Sequence, residues 1–217
     1  MLCDADTTKA VVDNLNLRHS SGTMPPIICD PVCVSTSGHT LLKEDAIETL
    51  ITGLFPISTL ITPNKSEAEL LTSQMGNATK IDDLESMLAS AKILLTTGCK
   101  AVLLKGGHLA YSMQDVNSIE KKFPEATLIK QGLLGNNMEI LLAGSGLNDG
   151  DIKVVVDILH QYNGQTTLMV RPRIESTSTH GTGCTLSSAI ACELTKGASR
   201  MSTLEIMKLE FILIHAI

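Results

Sequence analysis

The chain has 217 residues, of which 43% are hydrophobic and 18% charged, with a formal net charge of -6. This length and composition are typical of one globular domain with a sizeable core, and they exclude a mainly disordered chain. No block of basic residues is present, so we expect no nucleic-acid partner and no membrane partner. No apolar run is long enough to span a bilayer, and acids stand where a secretion signal has basic residues, which predicts a cytoplasmic protein.

Cysteines are scattered along the chain, and we expect them to stay reduced in the predicted compartment. None of them has the C-x-x-C spacing that is typical of structural zinc sites. The six are Cys3, Cys29, Cys33, Cys99, Cys184 and Cys192.

Helical and strand patterns alternate through the first half of the chain. Apolar residues at helical spacing predict helices, and short β-branched or continuously apolar runs predict strands between them. The predicted order is a helix over 4–17, a strand in IICDPVCV, a helix over 42–54 that ends at Gly53 and Pro56, a strand in ISTLIT, helices over 66–71 and 81–95, and a strand in AVLLKGGH. Continuous apolar strands separated by amphipathic helices indicate an α/β fold with a mostly parallel sheet covered by helices.

The alternation lapses at about residues 112–152, where glycines are frequent and no long apolar stripe is present, which predicts an insertion or surface excursion. Two strand-like runs then flank Asn163-Gly164, a signal for a β-hairpin. A last helix is predicted from the capping box formed by Ser202 and Glu205 to the end of the sequence.

Polar residues follow four predicted strands at their carboxyl ends, the edge where open α/β sheets bind ligands. Asp30 follows the first run, Asn64 and Glu67 the second, Lys105 the third, and the stretch THGTGC follows the hairpin. Glycines at the start of a helix let backbone amides approach an anion, a lysine neutralises phosphate, and carboxylates hold Mg²⁺. The combination therefore fits a polyphosphate with its metal ion.

Each of these residues also has a structural explanation when it is taken alone. Asp30 before a proline is a common turn residue, Asn64 with Glu67 is a common helix cap, and Lys105 before two glycines is common at the end of a strand. An isolated cysteine such as Cys184 is more often a small buried residue than a reactive one. Their occurrence at four successive strand ends favours a binding site. The remaining candidates, His39 and His180, are interpreted as structural or substrate-lining residues.

Four motifs in this order resemble the hydroxymethylpyrimidine and phosphomethylpyrimidine kinases of thiamine biosynthesis, within the ribokinase-like superfamily. The motifs are DPVCVSTSGHTLL, TPNKSEAELL, LLKGGHL and STHGTGCTLSSAIACELTKG. The resemblance covers most of the chain outside the 112–152 segment. It implies a single domain with a three-layer α/β/α fold and a mostly parallel central sheet, here truncated at its N-terminal side.

The resemblance implies ATP- and Mg²⁺-dependent phosphorylation of 4-amino-5-hydroxymethyl-2-methylpyrimidine, and then of its monophosphate. Gly181, Thr182 and Gly183 match the anion hole of the family, and Cys184 matches the catalytic base. A thiolate suits this position because helix N-terminal amides favour an anion. Lys105 is implied to contact the ATP phosphates.

The remaining implied roles concern the metal ion and the substrate. Asn64 and Glu67 match the N-x-x-E element that organises Mg²⁺, and Asp30 is implied to support the same metal site. A flap that closes on the substrate matches Ser35, Thr36, Ser37, Gly38 and His39. The expected partners are a small pyrimidine substrate and a second copy of the chain in a homodimer.

One departure from the family concerns its glycine-rich opening of the A-G-S-D-S-S-G-G-A-G type, which has no counterpart in this sequence. The family builds much of its pyrimidine pocket from that region. Two alternatives therefore stay open: a catalytically inactive nucleotide-binding remnant, and a kinase similar to pyridoxal kinases, some of which share the cysteine-bearing motif.

Overall fold

A computed structural model describes residues 4–22, 24–34, 40–107, 109–130, 153–173 and 181–195. Its helices are α1 (Ala5–Ser20), α2 (Glu44–Thr49), α3 (Lys65–Gln74), α4 (Leu84–Leu95), α5 (Met113–Lys122) and α6 (Thr182–Thr195). Its strands are β1 (Ile28–Cys29), β2 (Leu60–Ile61), β3 (Ala101–Leu104), β4 (Tyr111–Ser112), β5 (Thr127–Lys130), β6 (Lys153–Gln161) and β7 (Thr166–Pro172).

All of these strands belong to one sheet with the order β1-β2-β3-β6-β7-β5, and the short β4 pairs with β6 beside β3. Strands β1, β2 and β3 are parallel to one another, and β5 is parallel to β7. Only β6 among the described strands runs against its neighbours, because it forms a hairpin with β7. The predicted mostly parallel sheet is confirmed, and the carboxyl ends of β1, β2, β3 and β7 share one edge.

The hairpin predicted around Asn163-Gly164 is also confirmed. Gly164 donates its backbone N–H to the carbonyl of Gln161 at 2.9 Å and has a φ of +83°. A residue with a side chain rarely adopts this left-handed conformation, so glycine suits the turn. Asn163 accepts a hydrogen bond from the backbone N–H of Gln165 at 3.0 Å and closes the turn locally.

Side chains alternate between two apolar clusters along the central strands, as the period of a β-strand requires. On β3, Val102 and Leu104 enter a large cluster to which helices α1 to α5 contribute, and we call this the α4 side. Ala101 and Leu103 enter a smaller cluster with Leu186 of α6, which we call the α6 side. Helices on both faces of a sheet make the three layers that the sequence predicted.

One predicted helix end that differs from the structure is that of the helix over 42–54. Helical turns continue through a π-helical segment (Leu50–Leu54) and a short 3-10 segment (Phe55–Ile57), so Gly53 and Pro56 do not end them. A Cβ atom built on Gly53 would lie 3.1 Å from Cγ1 of Val12, so the glycine lets α1 pack closely here. Proline is tolerated because it stands in the first turn of the 3-10 segment.

The segment over 112–152 contains two elements that the sequence patterns did not predict. Helix α5 begins at a capping box in which Ser112 and Asp115 exchange hydrogen bonds, and β5 pairs with β7. The apolar stripe of α5 is short, and the acid at the third helical position is Asp rather than the usual Glu or Gln. Residues 131–152 lie outside the described residues, and the insertion stays a prediction.

The predicted last helix at Ser202 also lies outside the described residues. Within the described ranges, no helix is both long and apolar enough to cross a bilayer.

Candidate active site

Three side chains meet at the carboxyl edge of the sheet on the α6 side. Lys105 donates from Nζ to Oδ1 of Asp30 at 3.0 Å, and Thr62 donates its hydroxyl to the same oxygen at 2.9 Å. The Lys105 and Asp30 side chains are only 16% and 13% exposed. The ion pair is therefore sheltered from water, and it holds the ammonium group in one place.

The start of α6 lies directly against this ion pair. A Cβ atom built on Gly183 would lie 2.9 Å from Nζ of Lys105 and 3.7 Å from Oδ2 of Asp30. Gly181, just before the helix, has a φ of +83°. The absence of side chains lets the first amides of α6 and the lysine ammonium face the same small volume, an arrangement suited to binding an anion.

The backbone of Lys105 is attached to the neighbouring strand end. Its N–H donates to the carbonyl of Pro63 at 2.9 Å, and Lys105 forms an isolated parallel bridge with Asn64. The end of β3 therefore lies beside the start of α3, as the shared edge of a parallel sheet requires.

Asn64 and Glu67 form the reciprocal cap of α3. The Asn64 side chain accepts from the Glu67 N–H at 3.0 Å, and the Glu67 carboxylate accepts from the Asn64 N–H at 2.8 Å. The helix-cap explanation of these residues is confirmed. Their role at a metal ion stays a prediction, since one carboxylate can both cap a helix and face a ligand.

Glu67 is only 3% exposed, and burial raises its pKa from 4.5 to about 7. The hydrogen bond from Asn64 and the charge of Lys105 oppose this rise, whereas the charge of Asp30 adds to it. A cation next to Glu67 would stabilise its ionised form.

The donor set at this edge fits Mg²⁺ better than a metal that the protein surrounds completely. In the described residues, no group of three or more His, Cys, Asp or Glu side chains could hold a metal ion. Mg²⁺ commonly binds one or two carboxylates and completes its coordination with water and phosphate oxygens. Asp30 and Glu67 are the two carboxylates at this edge that could hold such an ion.

Of the five cysteines in the described residues, all are free, and their exposure separates them into two groups. Cys29 and Cys33 are buried, and burial raises the pKa of each thiol to about 12, so both are neutral. Cys184 is exposed in the first turn of α6, next to Gly183, and Cys192 is exposed further along the same helix. Position and exposure make Cys184 the thiol able to meet a ligand at this edge.

The predicted substrate flap, Ser35 to His39, lies outside the described residues, as do His108 and His180. The residues on either side of the flap are described. Val34 and Thr40 form an antiparallel bridge, and the Leu41 N–H donates to the Cys33 carbonyl at 2.7 Å. The ends of the flap segment are thus held together next to β1.

Sequence reasoning missed a buried acid and its partly buried arginine partner near the same edge. Asp157 of β6 is 3% exposed; its Oδ1 accepts from the Gly106 N–H at 2.6 Å, and its Oδ2 accepts from Arg171 of β7. The available signal was a single acid inside the apolar run IKVVVDILH, because a charge in a buried strand needs a partner.

Comparison with known proteins places this arrangement in a family. A model of the phosphomethylpyrimidine kinase family matches residues 1–132 and 125–209. The chain is 36% identical to a hydroxymethylpyrimidine/phosphomethylpyrimidine kinase of Rhizobium meliloti over 91% of its own length and 55% of that protein.

Solved structures show the same fold. Phosphomethylpyrimidine kinase of Clostridium difficile superimposes with a TM-score of 0.64 and 27% identity, covering all of this chain and 66% of that one. An ADP complex of Bacillus subtilis pyridoxal kinase superimposes with a TM-score of 0.63 and 21% identity, covering 99% and 60%. The second likeness shows the ribokinase-like fold alone.

The chain spans about half the length of the curated relatives it matches, 54% and 55% of two bacterial kinases. Within that span, the family match covers nearly all of the sequence, including every described residue of the site. The chain belongs to the phosphomethylpyrimidine kinase family.

Proposed function

We propose that the protein transfers the γ-phosphoryl group of ATP to the hydroxymethyl group of 4-amino-5-hydroxymethyl-2-methylpyrimidine, and then to the resulting monophosphate. The observation that carries the proposal is the Lys105 ammonium, held by Asp30 against the bare first turn of α6. A fixed cation beside helix N-terminal amides matches the charge that spreads over a transferring phosphoryl group. The ADP bound by the Bacillus subtilis pyridoxal kinase of the same fold supports a nucleotide as the donor.

The chemistry assigns one task to each part of the site. The sulfur of Cys184, acting as the general base, accepts the proton of the substrate hydroxyl as the oxygen attacks the γ-phosphorus. The bond from that phosphorus to the bridging oxygen of ATP breaks, and ADP leaves. Lys105 and the amides of Gly183 and its neighbours stabilise the phosphoryl oxygens throughout, a contribution that depends on positioning rather than on covalent steps.

Mg²⁺, when bound, would neutralise phosphate charge. Asp30 and Glu67 are the carboxylates that would hold it, directly or through its waters. The predicted flap, residues 35–39, would close over the pyrimidine and exclude water.

The test is a turnover assay with ATP, Mg²⁺ and the hydroxymethylpyrimidine, comparing the chain with its Cys184→Ala variant. We expect the substitution to lower kcat by about 10²- to 10⁴-fold, the usual contribution of a general base. Cys184 is exposed, so its replacement leaves the thermal midpoint nearly unchanged. Cys192→Ala on the same helix is the matched control and keeps full activity.

Robust turnover that survives Cys184→Ala would contradict the assigned base. Absence of turnover with a clear Mg-ATP thermal shift would favour the inactive nucleotide-binding alternative. Faster phosphorylation of pyridoxal than of the pyrimidine would favour the pyridoxal-kinase alternative, for which the shared fold is the supporting observation. The homodimer and the cytoplasmic location stay predictions, and the mass of the purified protein in solution tests the first.

A further inference from the structure

Asp157 is a buried acid at the edge of the sheet that carries the site. It is 3% exposed, and it lies in a strand whose other buried residues are mostly aliphatic. Burying a carboxylate is costly unless hydrogen bonds and an opposite charge compensate it. Its two partners are the N–H of Gly106, at 2.6 Å, and the guanidinium of Arg171.

Alternation along the strands places Asp157 on the face that carries Lys105. Leu103 and Leu159 are partners in the β3–β6 ladder and belong to the α6 side. Lys105 and Asp157 each lie two residues from this pair, toward the carboxyl end of β3, and therefore share the same face. The described ion pairs join Lys105 to Asp30 and Asp157 to Arg171, so Asp157 does not pair with the lysine ammonium itself.

The residue that links them is Gly106. Its backbone is pressed against β6, since a Cβ atom built on it would lie 2.1 Å from the carbonyl oxygen of Val156. Strand β3 ends at Leu104. Two residues later, the Gly106 N–H points toward β6 and donates to the Asp157 carboxylate. On the opposite side, the Lys105 N–H is held by the carbonyl of Pro63. The Lys105 backbone is thus fixed at both of its peptide groups.

We propose that Asp157 is a positioning residue, which fixes the peptide after Lys105 and so sets where the lysine ammonium meets the phosphates. Because a peptide is planar, holding the Gly106 N–H also fixes the carbonyl of Lys105 and, together with the bond to Pro63, the direction in which its side chain leaves the backbone. Arg171 orients the Asp157 carboxylate by donating a charge-assisted hydrogen bond to its Oδ2. This inference rests on the kinase function proposed above and extends it to a residue outside the recognised motifs.

The test is a double-mutant cycle on the full chain, with Mg-ATP affinity measured by calorimetry. Asp157→Ala should weaken binding about tenfold, the size of a lost charge-assisted hydrogen bond. In a Lys105→Ala background the same substitution should weaken it no further, because the group being positioned is gone. Asp157→Asn keeps an oxygen that can accept from Gly106, so it should retain most of the affinity while losing stability, because Arg171 then lacks its counter-charge.

A matched control separates positioning from a general loss of stability. Thr166→Val removes a buried hydrogen bond between the Thr166 hydroxyl and His160 at the other end of the same hairpin. It should lower the thermal midpoint and leave Mg-ATP affinity unchanged.

A ligand-free readout keeps this inference separate from the proposed function. The Cε resonance of Lys105, followed by NMR without nucleotide, should shift in Asp157→Ala and return toward its original position in Asp157→Asn. If the unmodified chain does not bind Mg-ATP, the nucleotide proposal fails and this resonance alone decides the role of Asp157. A Lys105 resonance that Asp157→Ala moves no more than Thr166→Val does, or an equal loss of affinity with and without Lys105, would overturn the inference.

Discussion

The two sides of the sheet use the same strands for different purposes. On the α4 side, Val102 and Leu104 of β3 pack into the large cluster supplied by α1 to α5. On the α6 side, Ala101 and Leu103 enter a smaller cluster, and the next residue on that face is the charged Lys105. The large cluster holds β3 in place. The opposite face of the strand carries polar groups, and this rigid support keeps them in defined positions.

The largest expected effect is a loss of stability when a side chain is added at Gly106, which faces the α4 side. Gly106→Ala places a Cβ atom 2.1 Å from the Val156 carbonyl oxygen, and backbone cannot move aside easily. We expect the free energy of unfolding to fall by about 3 kcal/mol, at the upper end of the usual cost of overpacking. Unfolding in urea measures this loss of free energy. Gly107→Ala is the adjacent control, since a Cβ atom there meets nothing within 4 Å, and equal losses in both variants would contradict the packing.

The next prediction concerns the buried carboxyl group of Glu67 at the start of α3. Burial raises its pKa from 4.5 to about 7, so between those values the folded protein binds more protons than the unfolded chain. The free energy of unfolding should therefore fall as pH rises from about 4.5 to about 7, by about 3 kcal/mol in total, and then level off.

Glu67→Gln should remove this slope, because the amide does not titrate and its oxygen can still accept from Asn64. Unfolding at a series of pH values measures the effect. Glu85→Gln, at a carboxylate that is 54% exposed, should leave the slope in place. A slope that survives in the Glu67 variant would mean that another group causes it.

The last prediction concerns Gly183 on the α6 side, where we expect a change in Mg-ATP binding rather than in stability. The atom nearest to a Cβ on Gly183 is Nζ at the end of the long Lys105 side chain, so the strain falls on the ammonium and its ion pair and not on the backbone. Gly183→Ala should therefore leave the thermal midpoint nearly unchanged and weaken Mg-ATP binding about tenfold, since the ammonium is displaced from its place. Calorimetry measures this affinity.

The matched control for Gly183 is the same substitution in a Lys105→Ala chain, where no ammonium remains to be displaced. The added methyl group should then have no further effect on Mg-ATP binding. An undiminished effect would mean that the glycine acts through its backbone amide alone.

The sequence by itself determined the order of helices and strands over most of the described chain, the hairpin at Asn163-Gly164, and the residues that gather at the carboxyl edge. These features follow from periodicity and from turn and cap residues, which are local properties of the chain. Elements with weak local signals were missed, as the short apolar stripe of α5 shows.

Only the tertiary structure decided which charged groups face one another. The pairing of Lys105 with Asp30 joins residues 75 positions apart, and that of Arg171 with Asp157 crosses a hairpin whose register sets the contact. Burial of Glu67 and the closeness of Gly183 to Lys105 likewise arise from the stacking of α3 and α6 at the sheet edge. Local patterns specify each element, but pairwise distances across the sheet depend on packing, which no single stretch of sequence contains.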